Sequence, residues 1–115
     1  MGEREIELAK TEAVFREVNE RISETAQRFS SDDATFVCEC ADPGCTARVD
    51  LALEEYEAIR RDATHFLLCD GHEEPSIERV LERRRGYAVV EKFHEAVARV
   101  VRRTNPRRRA GVETA

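Results

Sequence analysis

Four cysteines and one histidine constrain this chain more than any other feature. They stand as Cys38-x-Cys40-x4-Cys45 and Cys69-x2-His72, inside a chain of 115 residues. The N-terminal segment MGEREIELAK is charged from residue 3 onward and has no apolar run of the secretory kind, so a cytoplasmic location is expected. In that reducing setting, clustered cysteines argue for a metal rather than for disulfides. The length argues the same way. A single domain of this size buries only about 60–70% of its unfolded surface, and a metal staple offsets a small core.

The spacing suggests how the ligands converge. Thr35 to Cys40 is rich in β-branched and aromatic residues, and on a strand Cys38 and Cys40 project to one face. Asp42-Pro43-Gly44 is a turn that returns the chain, so that Cys45 approaches the same point. The Cys69-Asp70-Gly71-His72 segment supplies the remaining ligand, and Gly71 permits a sharp turn there. Five candidates compete for four places. Cys69 ends the apolar run Phe66-Leu67-Leu68, where a thiol serves as a small buried hydrophobe. His72 lies in a polar turn. The expected ligands are therefore Cys38, Cys40, Cys45 and His72, with Cys69 as the alternative fourth. Thiolate sulfur and imidazole nitrogen in this number suit Zn2+. An iron–sulfur cluster on the four cysteines is the alternative.

The rest of the chain reads as a small α+β domain. Residues 3–29 form a long amphipathic helix. Phe15, Val18, Ile22, Ala26 and Phe29 recur at helical spacing, with Leu8 one heptad upstream. Glu12–Arg16, Glu17–Arg21 and Glu24–Arg28 are i,i+4 pairs on the other face. The Ser30-Ser31-Asp32-Asp33 run stops the helix. Residues 34–93 form the zinc-binding α+β core, a small antiparallel sheet carrying the cysteine hairpin. Within it, Arg48–Leu51 is the return strand, Leu53–Arg61 a short helix and His65–Leu68 a buried strand. Ile77–Arg83 and Gly86–Phe93 form a hairpin. A short helix follows over 95–104. Residues 1–104 thus make one domain, and 105–115 read as a disordered, Arg-rich tail.

Composition narrows the function. Residues 1–57 hold 6 Lys+Arg against 15 Asp+Glu, and residues 58–115 hold 13 against 9, within a net charge of −5. The two halves can pair with each other or present two surfaces to partners. No apolar run is long enough to span a membrane. Arg99, Arg102, Arg103, Arg107, Arg108 and Arg109 are the candidate nucleic-acid contacts. With a pI near 5.3 and few interleaved aromatics, nucleic acid is the less favoured partner and a protein the more favoured. Arg outnumbers Lys 17 to 2, a composition typical of a GC-rich bacterium. Catalysis is not expected. Cys69 and His72 with Asp70 or Glu73 lack an accompanying oxyanion-hole pattern. A metal held by three thiolates and one imidazole has no open position for Glu73 or Glu74 to serve.

The motifs FREVNERI (15–22), FVCECADPGC (36–45), LEEYEAIR (53–60), GHE (71–73), ERVLE (78–82) and GYAVVEK (86–92) resemble those of a family of small bacterial zinc-site proteins of uncharacterised function. The resemblance covers residues 15–92. It implies a small α+β fold with a zinc-like cluster. Its members carry the three cysteines and the Gly-His, usually without a cysteine at position 69, which implies His72 as the fourth ligand. It implies no activity. The expected function is a non-catalytic, zinc-stabilised binding or regulatory module that engages a protein partner. The alternatives are a thiol and zinc redox sensor and a nucleic-acid-associated regulator that uses the Arg-rich C-terminus.

Overall fold

The computed structural model describes residues 3–109. Helix α1 (Glu3–Arg28) leads into β1 (Asp33–Val37), β2 (Arg48–Ala52) and α2 (Leu53–Ile59). Then come β3 (His65–Cys69), β4 (Glu78–Arg84), β5 (Tyr87–Lys92), α3 (Glu95–Arg103) and α4 (Pro106–Arg109). The fold is α+β, with a long N-terminal helix, antiparallel sheet and a short C-terminal helix, as expected. The strands form two sheets rather than one. β1 pairs with β2, and β5 lies between β3 and β4. All the pairings are antiparallel. Arg84 pairs with Tyr87 across the two-residue turn Arg85-Gly86, where Gly86 takes a φ of +84°. No helix among the described residues is long and apolar enough to cross a membrane.

Two apolar clusters flank the three-stranded sheet. Phe66, Leu68 and Val90 pack with Ala9 of α1 and with Val97 and Val101 of α3. Leu67, Tyr87 and Val89 pack with Phe36, Leu51, Tyr56 and Ile59 of the β1–β2–α2 unit. Phe36 and Tyr56 stack with ring centroids 4.3 Å apart. Each such fully buried side chain stabilises the fold by about 1.5–3 kcal/mol.

The buried face of α1 differs from the expected one. Its buried residues are Ala9, Glu12, Arg16, Asn19, Glu20, Ser23 and Ala26. Phe15 and Ile22 are only half-buried, and Val14, Val18 and Phe29 are 63%, 41% and 74% exposed. The polar face turns inward because its long polar side chains reach partners elsewhere in the fold. The Asn19 side chain both donates to the carbonyl of Val37 and accepts from its N–H, each at 2.8 Å. Asn19 and the Tyr56 hydroxyl both donate to Glu39 Oε2, and the Leu67 amide donates to Oε1. Arg16 donates to the carbonyls of Ala63 and Val101 at 2.7 Å and lies over the Phe66 ring. Glu12 pairs with Lys92, which also pairs with Glu78, all three side chains fully buried. The expected Glu12–Arg16 pair is therefore replaced by these long-range contacts, whereas Glu17–Arg21 forms at 3.7 Å.

The helix ends where expected, by a backbone device. Ser31 N donates to Ala26 O and Ser30 N to Gln27 O, with Ser30 at a left-handed φ of 55°. This is the Schellman closure, with serine where glycine is usual.

The expected disorder from residue 105 onward is corrected over residues 105–107. Asn105 and Pro106 are buried, and Pro106 opens α4. Arg107 donates to Glu20 Oε2 at 2.8 Å and to both carboxylate oxygens of Glu57. Arg60 donates to Glu20 and to Asn105. The acidic first half holds this basic segment by charge. Positions 110–115 of the expected tail lie outside the described residues.

Candidate metal centre

The ligand loop starts where β1 stops. Past Val37 the chain leaves the β1–β2 ladder, although Cys38 N still donates to Ala47 O and Glu39 N donates to Leu67 O of β3. These two bonds hold the backbone extended through the Cys-x-Cys segment. Cys38 and Cys40 therefore face one way, while Glu39 faces the other, into its buried bonds with Asn19 and Tyr56. The turn closes through Cys45 N to Asp42 O at 3.0 Å and Gly44 N to Asp42 Oδ1 at 2.9 Å. Across from it, the Cys69–His72 turn closes through His72 N to Cys69 O at 3.1 Å, with Gly71 at a φ of +85°.

These turns bring together Cys38, Cys40, Cys45 and His72. One ligand atom from each lies within 4.8 Å of the other three. His72 Nδ1 is 3.5 Å from Cys38 Sγ and 3.7 Å from Cys45 Sγ. Metal–sulfur and metal–nitrogen bonds of about 2.3 and 2.0–2.1 Å in a tetrahedron put sulfur and nitrogen about 3.5 Å apart. The two sulfur–nitrogen separations thus match those around a metal ion, and the group could hold one. All four cysteines are free thiols. Burial pushes the thiols of Cys38 and Cys40 up from their ordinary values. A bound divalent cation reverses that preference and deprotonates a coordinating thiol.

Cys69 takes another role. Its Sγ turns toward the Arg48 carbonyl, 3.8 Å away, and is not in the four-ligand group. Its amide donates to Cys38 Sγ at 3.1 Å, which supports a thiolate there. The Asp42 amide does the same for Cys40. One supporting residue had no signal in the sequence. Arg83 of β4 donates to Asp70 at 2.6 Å and to Glu73 at 2.7 Å, clamping both flanks of the Gly71-His72 turn. A lone arginine in a strand gives no hint of this until the hairpin is placed.

The arginines named as candidate nucleic-acid contacts differ in exposure among the described residues. Arg99, Arg102 and Arg103 are exposed on α3, while Arg107 is committed to Glu20 and Glu57. The side chains of Arg108 and Arg109 lie outside the described residues. No known family model, curated protein or solved structure matches the chain.

Proposed function

We propose that this chain is a non-catalytic, zinc-stapled module that binds a protein partner through the outer face of α1. The observation that carries this reading is the combination of a closed donor set with an unused apolar stripe. Three sulfurs and one nitrogen fill a tetrahedron, which leaves no position for a substrate or a reactive water. The donor types favour zinc, and the place of Cys69 Sγ outside the four-ligand group argues against a four-cysteine iron–sulfur cluster. Val14 and Val18 lie exposed on α1 and Phe29 just past its end, with Phe15 and Ile22 half-buried beside them. Such a stripe on a helix is the usual ground for a partner to dock. The reading assumes a reducing compartment such as the cytoplasm.

The test is capture of a partner by the intact protein, with and without nuclease. Val14→Asp with Val18→Asp should abolish a nuclease-resistant capture while leaving the metal content intact. Salt-sensitive binding of a DNA or RNA probe, lost in Arg99→Glu with Arg102→Glu and Arg103→Glu, would overturn the reading in favour of a nucleic-acid one. The redox-sensor alternative draws its support from Cys69, a free thiol whose amide touches the Cys38 sulfur. It predicts that peroxide releases the metal as two thiolates form a disulfide and the peroxide is reduced to water.

A further inference from the structure

A second group of ligand-type side chains lies apart from the thiolates. Asp62, in the turn after α2, His65 at the start of β3 and Glu91 in β5 each bring one donor atom within 4.8 Å of the other two. His65 and Glu91 are register partners across the β3–β5 pair, so they share a face. His65 Nε2 stands 3.5 Å from Asp62 Oδ2 and 3.7 Å from Glu91 Oε2.

Each carboxylate has one oxygen committed to the protein and one presented to the imidazole. Asp62 Oδ1 accepts from Thr64 N at 2.9 Å and from Thr64 Oγ1 at 2.7 Å. Glu91 Oε1 accepts from Arg79 Nε and Nη2 at 3.1 and 2.8 Å. The free oxygens, Asp62 Oδ2 and Glu91 Oε2, both face His65 Nε2. A charge-assisted N–H···O bond is about 2.7–2.9 Å long, and neither contact is that short. A metal ion at about 2.0–2.2 Å from each atom holds such donors about 3.0–3.5 Å apart. The spacing is too wide for a shared proton and close to that of a shared ion.

We propose that Asp62, His65 and Glu91 form a second, solvent-open site for a divalent cation of the zinc or cobalt class. One imidazole and two carboxylates suit borderline and harder divalent ions, unlike the soft thiolate set. Three protein ligands leave at least one position open, the arrangement of catalytic rather than structural zinc. His65 also lines a cleft of about 350 Å³ with Ile59, Leu81, Tyr87 and Val89. Arg79 offsets one of the two carboxylate charges, so the site holds its ion more weakly than the thiolate centre.

Titration of the full-length protein with Co2+, followed by absorption, tests this. Sulfur-to-cobalt charge transfer reports the thiolate centre, so ions at the two sites are told apart whatever fills the first. One further Co2+ per chain should bind with weak ligand-field bands and no added charge transfer. His65→Gln and Glu91→Gln should each weaken that second binding by at least about tenfold and leave the thiolate signal alone, since even outer-shell changes cost 10–100-fold. In the unmutated protein, the second Co2+ should shift or broaden the His65 ring resonances before those of His94. The proposal fails if no second ion binds, if both variants bind it as well as the unmutated protein, or if His65 and His94 respond alike.

Discussion

Removing His72 separates stapling from metal binding, because His72 is the one ligand from outside the Cys38–Cys45 hairpin. In His72→Ala the three cysteines can still hold an ion, yet that ion no longer ties the hairpin to the distant turn. The lost cross-link spans 27 residues from Cys45 to His72. On the loop-entropy model a closure of that length is worth about 3.5 kcal/mol at 25 °C. Domains of this size are stable by about 5–15 kcal/mol in total, so the loss is a large fraction. It corresponds to a fall in melting temperature of about 10–20 °C.

The comparison variant is Cys69→Ser. Its Sγ is half-buried, packs beside the core and lies 3.8 Å from the Arg48 carbonyl, which a serine hydroxyl can also reach. The amide bond to Cys38 Sγ is backbone and survives the change. Its cost should stay within about 1 kcal/mol, with full metal content. Thermal unfolding by circular dichroism, paired with elemental analysis, reads both variants. Chelation of the unmutated protein should reproduce at least the His72→Ala loss, because metal-binding energy is folding energy at such sites. A His72→Ala protein that melts with the unmutated one, or a Cys69→Ser protein that loses its metal, would refute the assignment.

Three further outcomes follow from the interior. Ser30→Gly should stabilise the protein by about 1 kcal/mol in urea unfolding, because Ser30 occupies a left-handed conformation that glycine adopts without penalty. Asn19→Ala should cost about 2–4 kcal/mol by the same measurement, since it leaves the N–H and C=O of Val37 without their side-chain partner and takes one of two donors from Glu39 Oε2. Stability should also depend on Glu78. Burial, with Glu74 and Glu73 nearby, pushes its carboxyl up to about 8. The folded form then holds a proton that the unfolded form releases near 4.5, so this contribution is present below about pH 4.5 and is lost as pH rises through 8. The slope of stability between pH 5 and 8 should therefore be flatter in Glu78→Gln, and equal slopes would contradict the shift.

The Cys/His cluster was legible because its information is local. A Cys-x-Cys pair in extended chain, a Pro-Gly turn and a Gly-His turn each set direction within a few residues, and only the meeting of the two segments is long-range. The bond that secures this meeting, Glu39 N to Leu67 O, lies between backbone groups and leaves no mark in the residue types. The choice between Cys69 and His72 turned on context, an apolar run against a polar turn, and that context places Cys69 at the end of β3 with its amide toward the cluster. Residues 105–107 depart from expectation for the opposite reason. Residues 105–107 look like a polar tail, and only the placement of Glu20, Glu57 and Arg60 gives them partners.

The inner face of α1 shows where pattern reading meets its limit. Hydrophobic periodicity assigns Glu12, Arg16, Asn19, Glu20 and Ser23 to solvent, because an unpaired charge in a core costs several kcal/mol. That cost disappears from the pattern when each group meets a partner far away in sequence. Lys92 lies 80 residues from Glu12, and Val101 lies 85 from Arg16. Phe66 then binds the two halves of the network, with Arg16 at 4.5 Å and Lys92 at 4.3 Å from its ring centre. A polar interior of this kind is directional. An apolar stripe would tolerate rotation of the helix, whereas Asn19 meets the peptide groups of Val37 in only one orientation. That orientation sets β1 and Glu39 in place, and Glu39 stands between Cys38 and Cys40. The buried polar face of α1 therefore fixes the frame on which the metal ligands are mounted, and the same rotation turns the helix's apolar stripe outward to where a partner can reach it.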